Sequence, residues 1–294
     1  MTISAAMVKE LRERTGSGMM ECKKALVEAN GDLDAAIEIM RKAGLAKADK
    51  KSSRTAAEGC VCVKLSADSK KAAMVEVNSE TDFVAKADDF IAFAQGVAQT
   101  ILDTGAADVE TLLTATLSGQ GITVDERRRE LIAKLGENIN VRRFETVKAS
   151  SGIAVSYLHG SRIGVLVELS NDDQVLGKDI AMHIAASKPI CVDESGVSAD
   201  VIAKEKEIFS AQAEASGKPA NIIEKMVEGR IKKFLAEVTL VGQPFVKDPD
   251  QTVGALLKSK GASVAGFSRF EVGEGIEKEE SNFAEEVMAQ VRAS

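Results

Sequence analysis

The feature that most constrains this 294-residue chain is an internal repeat. One copy begins Gly59-Cys-Val-Cys-Val-Lys-Leu, passes a polar turn and returns as Ala73-Met-Val-Glu-Val. The other begins Gly152-Ile-Ala-Val-Ser-Tyr-Leu, turns at His159-Gly-Ser-Arg162 and returns as Gly164-Val-Leu-Val-Glu-Leu. Each is a pair of β-branched runs around turn residues, the pattern of an antiparallel hairpin. Helix-period segments follow, 82–102 after the first copy and 177–186 after the second. Each half then closes on a further helix and strand: 126–135 with 140–145, and 252–260 with 265–272. The expected class is α+β, with two duplicated subdomains, each a three-stranded antiparallel sheet carrying helices on one face.

Around this repeat the pattern predicts three additions. Residues 4–14 and 19–29 and a segment capped by Asp32 each put apolar residues at helical spacing. They predict a small N-terminal three-helix bundle like the ubiquitin-associated fold. Residues 42–58 are rich in Ala, Lys and Ser and read as a mobile linker that leaves the bundle loosely tied. A nucleic-acid arm is the sharper reading of those lysines, set against an acidic chain. An antiparallel helical hairpin over 198–236 interrupts the second half, its two apolar stripes exceeding what a lone hairpin can bury. A C-terminal helix is expected over 282–291. The organisation predicted is bundle and linker 1–54, first subdomain 55–145, second subdomain with hairpin 146–276, and a C-terminal helical module 277–294.

Several function classes fit poorly. The net charge of −7 argues against coating a phosphate backbone. Aromatics are 4% of the chain, with no Trp and one Tyr, so stacking platforms for single-stranded nucleic acid are scarce. No 18-residue apolar run predicts a membrane span, and the N-terminus reads as the start of a helix rather than a signal peptide. Cys22, Cys60, Cys62 and Cys191 make no CxxC and read as free thiols in a reducing cytoplasm. His159 and His183 lie in no metal-ligand spacing, and neither GxSxG nor a P-loop occurs. A binding module with no cofactor of its own is expected; an enzyme built on some other constellation is the rival reading.

One segment stands apart. Ser79-Glu-Thr-Asp-Phe-Val-Ala-Lys86 lies where a strand gives way to a helix, with Thr81 or Asp82 as its cap. Phe83 shares a helical stripe with positions 87, 90, 94, 97 and 101, which reads as an internal clamp. The other reading is an exposed acidic-aromatic tip on a rigid helix end.

The string Thr81-Asp-Phe-Val-Ala-Lys86 resembles the signature of bacterial elongation factor Ts. So do Arg12-Glu-Arg-Thr-Gly16, Met19-Met-Glu-Cys-Lys-Lys-Ala-Leu26 and Phe270-Glu-Val-Gly-Glu-Gly-Ile-Glu-Lys278. His159-Gly160 with Arg162-Ile-Gly164, Met182-His-Ile-Ala-Ala186 and Gly242-Gln-Pro-Phe245 are similar too, and the likeness runs in order from about residue 4 to 290. The resemblance implies a non-enzymatic guanine-nucleotide exchange factor for elongation factor Tu, met in its GDP-bound and nucleotide-free forms. Val8, Leu11, Met19 and Met20 would dock on the partner's G domain. Thr81, Asp82, Phe83 and Val84 would displace its magnesium, with His159 at the same contact. The hairpin would support self-association and the C-terminal helix would grip the G domain again. A ubiquitin-binding adaptor is the remaining rival for the bundle.

Overall fold

The computed structural model describes residues 3–214 and 219–277. Helix α1 (Ala5–Thr15) starts where Ser4 Oγ accepts from Met7 N–H, and it stops at Gly16, whose φ of 66° suits glycine. Helices α2 (Met19–Glu28) and α3 (Leu33–Lys51) follow, the latter capped by Asp32, whose carboxylate accepts from the Asp34 and Ala35 amides. Val8, Leu11, Cys22, Leu26 and Ala36 close the small core between them.

The linker expected at 42–58 is corrected over its first ten residues, because α3 runs on to Lys51. Ala and Lys are as much helix formers as linker residues, and tertiary packing decides between the two. Helix α3 lies along a later helix, with Arg41 2.9 Å from Glu126 and Asp49 3.3 Å from Arg129. A Cβ on Gly44 would come within 3.0 Å of Ala133 Cβ, so the small residues that suggested a linker permit close helix contact. Ala48 is buried in the main core. The bundle is therefore tied firmly to the body, against expectation.

Strands β1 (Glu58–Leu65) and β2 (Lys71–Ser79) pair antiparallel in register Glu58 to Ser79. The segment after β2 forms a one-turn helix α4 (Asp82–Ala85) and then α5 (Asp88–Thr104). The single helix expected over 82–102 is thus two, since Ala87 is extended at φ −70° and ψ 136°. Helix α6 (Val109–Thr114), absent from the sequence reading, precedes α7 (Val124–Leu135), which starts in a reciprocal cap between Thr123 and Glu126. Strand β3 (Ile139–Lys148) completes a sheet of order β1-β2-β3. Phe90, Phe93, Val97 and Ile101 of α5 pack with Leu131 and Ile132 of α7 against Val75 and Val77.

The second sheet repeats the plan. Strands β4 (Ile153–His159) and β5 (Ile163–Leu169) pair antiparallel, and α8 (Gln174–Ser187) covers them. The insertion is α9 (Ala199–Glu214) and α10 (Ala220–Val238). A short pair β6 (Pro244–Phe245) and β7 (Asp248–Thr252), not foreseen, leads into α11 (Val253–Ser259) and β8 (Val264–Glu271). The order is β4-β5-β8. Val61 and Met74 of the first sheet meet Leu166 and Phe270 of the second in one apolar cluster. Gly164 is needed there, because a Cβ would fall 2.4 Å from Val61 Cγ1. The C-terminal helix expected over 282–291 lies outside the described residues.

Candidate functional site

The site grows from the end of β2. Ser79 Oγ donates to Thr81 O at 2.9 Å, holding the chain as it leaves the sheet. Thr81 is extended, and its Oγ1 accepts from Val84 N–H, which starts α4. The Glu137 carboxylate accepts both the Thr81 amide at 2.9 Å and its hydroxyl at 2.6 Å. Within α4, Val84 and Ala85 turn into the core. Asp82 points outward and pairs with Lys86 at 2.6 Å, and that bond holds its carboxyl below the ordinary carboxylate range.

Phe83 is 82% exposed. The break at Ala87 takes it off the stripe of Phe90, Ala94, Val97 and Ile101, so the internal-clamp reading fails and the exposed tip is what forms. Burying a Phe side chain is worth roughly 1.5–3 kcal/mol, so a large ring held in water on a braced helix marks a surface that another molecule could cover.

The β4–β5 turn lies near this tip. Arg162 pairs with Glu58 at 2.6 Å, and Val61 N–H donates to Ser161 O at 2.8 Å. Glu58 faces Ser79 in the ladder, so the turn is stitched to the end of the sheet from which residues 80–84 emerge. His159 is exposed there, its ring stacked 6.5 Å from Tyr157, with Leu158 exposed beside it.

No group of three or more His, Cys, Asp or Glu residues placed to hold a metal occurs among the described residues. Among the same residues no helix is long and apolar enough to cross a membrane.

The family model for elongation factor Ts matches residues 80–274, well over half of the chain. A relative named elongation factor Ts from Methylococcus capsulatus is 74% identical over 294 residues, covering 100% of both chains. Another of that name from Alkalilimnicola ehrlichii is 63% identical over 294 residues, again covering 100% of both. This chain belongs to the elongation factor Ts family.

For a member of the elongation factor Ts family, the placement of the remaining expected residues is informative. Met19 and Met20, at the start of α2, are 58% and 76% exposed and free to meet another molecule. Val8 and Leu11 are buried in the bundle's own core, as Val84 is in the main one. In this conformation they shape a surface rather than form it. The sequence brought forward Thr81 but not Glu137, which lies 56 positions away and meets it only through the fold. Nothing local in Gly136-Glu-Asn138 signals that contact.

Proposed function

We propose that this chain is a guanine-nucleotide exchange factor that binds elongation factor Tu carrying GDP and promotes GDP release so that GTP can enter. The observation that carries the reading is Phe83, 82% exposed at the start of a helix whose other side is anchored in the core. Magnesium bridges phosphates and protein in a GTPase and is the largest local charge in its site. A ring wedged beside that site, with the Asp82 carboxylate next to it, disturbs the ligands that hold the metal. No covalent step is needed, and the chain acts as a binding protein in the cytoplasm, without nucleic acid or membrane.

Met19 and Met20 form the bundle's contact with the G domain and His159 a contact beside the tip. Val8 and Leu11 act by fixing α1 against α2, and Val84 by seating α4. We divide the chain as bundle 1–54, subdomains 55–145 and 146–276, and C-terminal module 277–294. The groove of about 650 Å³ between α9 and α10, lined by Ile202, Ile223, Val227 and Ile231, supports self-association through the hairpin as an accessory property.

The deciding experiment is release of labelled GDP from purified elongation factor Tu. Catalytic amounts of this chain should accelerate it strongly in the presence of magnesium. Release at the spontaneous rate would overturn the reading.

A further inference from the structure

Helix α4 is one turn long, and a first turn fixes several residues' backbone angles for a single hydrogen bond. Its own closure is thin. At its start, Ala85 N–H reaches Thr81 O at 3.3 Å, Lys86 N–H reaches Phe83 O at 3.3 Å, and the cap bond from Val84 N–H to Thr81 Oγ1 is 3.4 Å; the bond from Ala87 N–H to Val84 O, at 3.0 Å, closes only its exit. The contacts from Glu137 brace that loose start at 2.6 and 2.9 Å and occupy both carboxylate oxygens. Bonds to an ionised acceptor are roughly twice as strong as neutral ones.

The neighbouring residue makes a second set of ties. Asn138 is buried, and its N–H donates to the Glu80 carboxylate at 2.6 Å. Its side-chain amide donates to Arg54 O at 2.7 Å and to Ser52 O at 3.3 Å, just beyond the end of α3. Two consecutive residues between α7 and β3 therefore grip both the base of the tip and the chain descending from the bundle.

We propose that Glu137 is a positioning residue for exchange: through Thr81 its carboxylate sets the pose of α4, and so the direction in which Phe83 is presented. Asn138 fixes that pose relative to the end of α3, so Phe83 and the bundle are held at a set separation. The proposal deepens the exchange reading and rests on it. An aromatic on an unbraced loop would lose conformational freedom at the moment of binding, and preorganisation removes that cost.

The test uses the full chain as wild type, Glu137→Ala, Glu137→Gln, Phe83→Ala and the Glu137→Ala/Phe83→Ala double variant. GDP release and amide hydrogen exchange are read on each. Glu137→Ala should lose about tenfold in exchange efficiency, the equivalent of one decade in an equilibrium constant. Its amides at Val84 to Ala87 should exchange about tenfold faster, with those of β1 to β3 unchanged. Glu137→Gln keeps an acceptor for the Thr81 amide and should recover part of both. In the Phe83→Ala background the same alanine substitution should cost less than about twofold, because the pose of an absent ring no longer matters.

Unchanged protection at 84–87 would overturn the proposal, as would a full tenfold loss in both backgrounds or loosening spread across the whole sheet. If wild type fails to release GDP, the exchange reading fails. The amide measurement then still decides whether Glu137 holds α4.

Discussion

At the scale of single residues, Phe83 and Glu76 are opposite cases. Phe83 is exposed, and the proposed function puts its contact on the partner, so Phe83→Ala should leave the unfolding midpoint nearly unmoved while exchange falls about thirtyfold. That is the consequence of losing a central aromatic anchor worth about 2 kcal/mol. A melting curve beside a GDP-release assay checks both halves, and a drop in stability with normal exchange would place the ring in the core. Glu76 is fully buried in β2 and accepts from Arg142 at 3.0 Å, Arg143 at 2.6 Å and the Gly273 amide at 2.8 Å. Burial pushes its carboxyl up, but the bonds from Gly273, Asn78 and Arg143 together outweigh it and leave the group below its ordinary value. Glu76→Ala should cost about 3 kcal/mol, because two guanidinium groups lose a shared partner. The sign of the pH effect follows from the depressed value. In acid the unfolded chain takes up this proton first, so the stabilisation is complete above the ordinary carboxylate range and is lost as pH falls through the folded value. The stability gap between wild type and Glu76→Gln, read by denaturant titration, should therefore narrow on acidification; a gap constant with pH would count against the network.

At the scale of elements, what could be read from the sequence depended on whether a segment's signal was local. The paired strands of both repeats announced themselves, because β-branched runs and turn residues carry the pattern within about ten positions. The break between α4 and α5 did not, since Lys86-Ala-Asp88 holds neither Gly nor Pro and the apolar stripe runs across it. The same limit hid the extension of α3, where Ala and Lys serve a helix and a linker equally, and β6, which is only two residues long. At the candidate site the tip was visible as a motif, but its exposure was decided by that unseen break and its clamp by Glu137. The hairpin is an element whose removal is a clean test. Its two legs meet the body where Leu240 N–H donates to Cys191 O and Val241 N–H to Val192 O, at 2.9 and 3.0 Å. Replacing 198–236 with a short Gly-Ser turn keeps that base, and shortening such a loop changes closure entropy little. The variant should fold and retain part of its exchange activity, with any self-association reduced in light scattering. An unfolded product would make the hairpin part of the core, and unchanged self-association would put the contact elsewhere.

At the scale of the whole molecule, the arrangement is a frame braced by side-chain contacts, on which the proposed contact points stand apart. The two sheets share an apolar cluster, the bundle is fastened along α7, and the tip and the β4–β5 turn occupy one end of the first sheet. Under the proposed function, such a frame presents one arrangement of contacts and so fits one state of a partner better than another. An exchange factor must have that preference: a ligand with equal affinity for both states shifts nothing, however tightly it binds. Linkage makes the coupling reciprocal, so whatever factor this chain costs GDP in affinity, GDP costs it in return. The expected outcome is much tighter binding to nucleotide-free elongation factor Tu than to the GDP form. A difference of about 2 kcal/mol or more should be measurable, within the usual range of 1–3 kcal/mol for coupling between sites. Phe83→Ala should shrink the difference by weakening the nucleotide-free complex most, since the ring is proposed to sit where magnesium and nucleotide have left. Titration calorimetry of both proteins against both forms measures all four affinities, and equal values for wild type would rule the mechanism out.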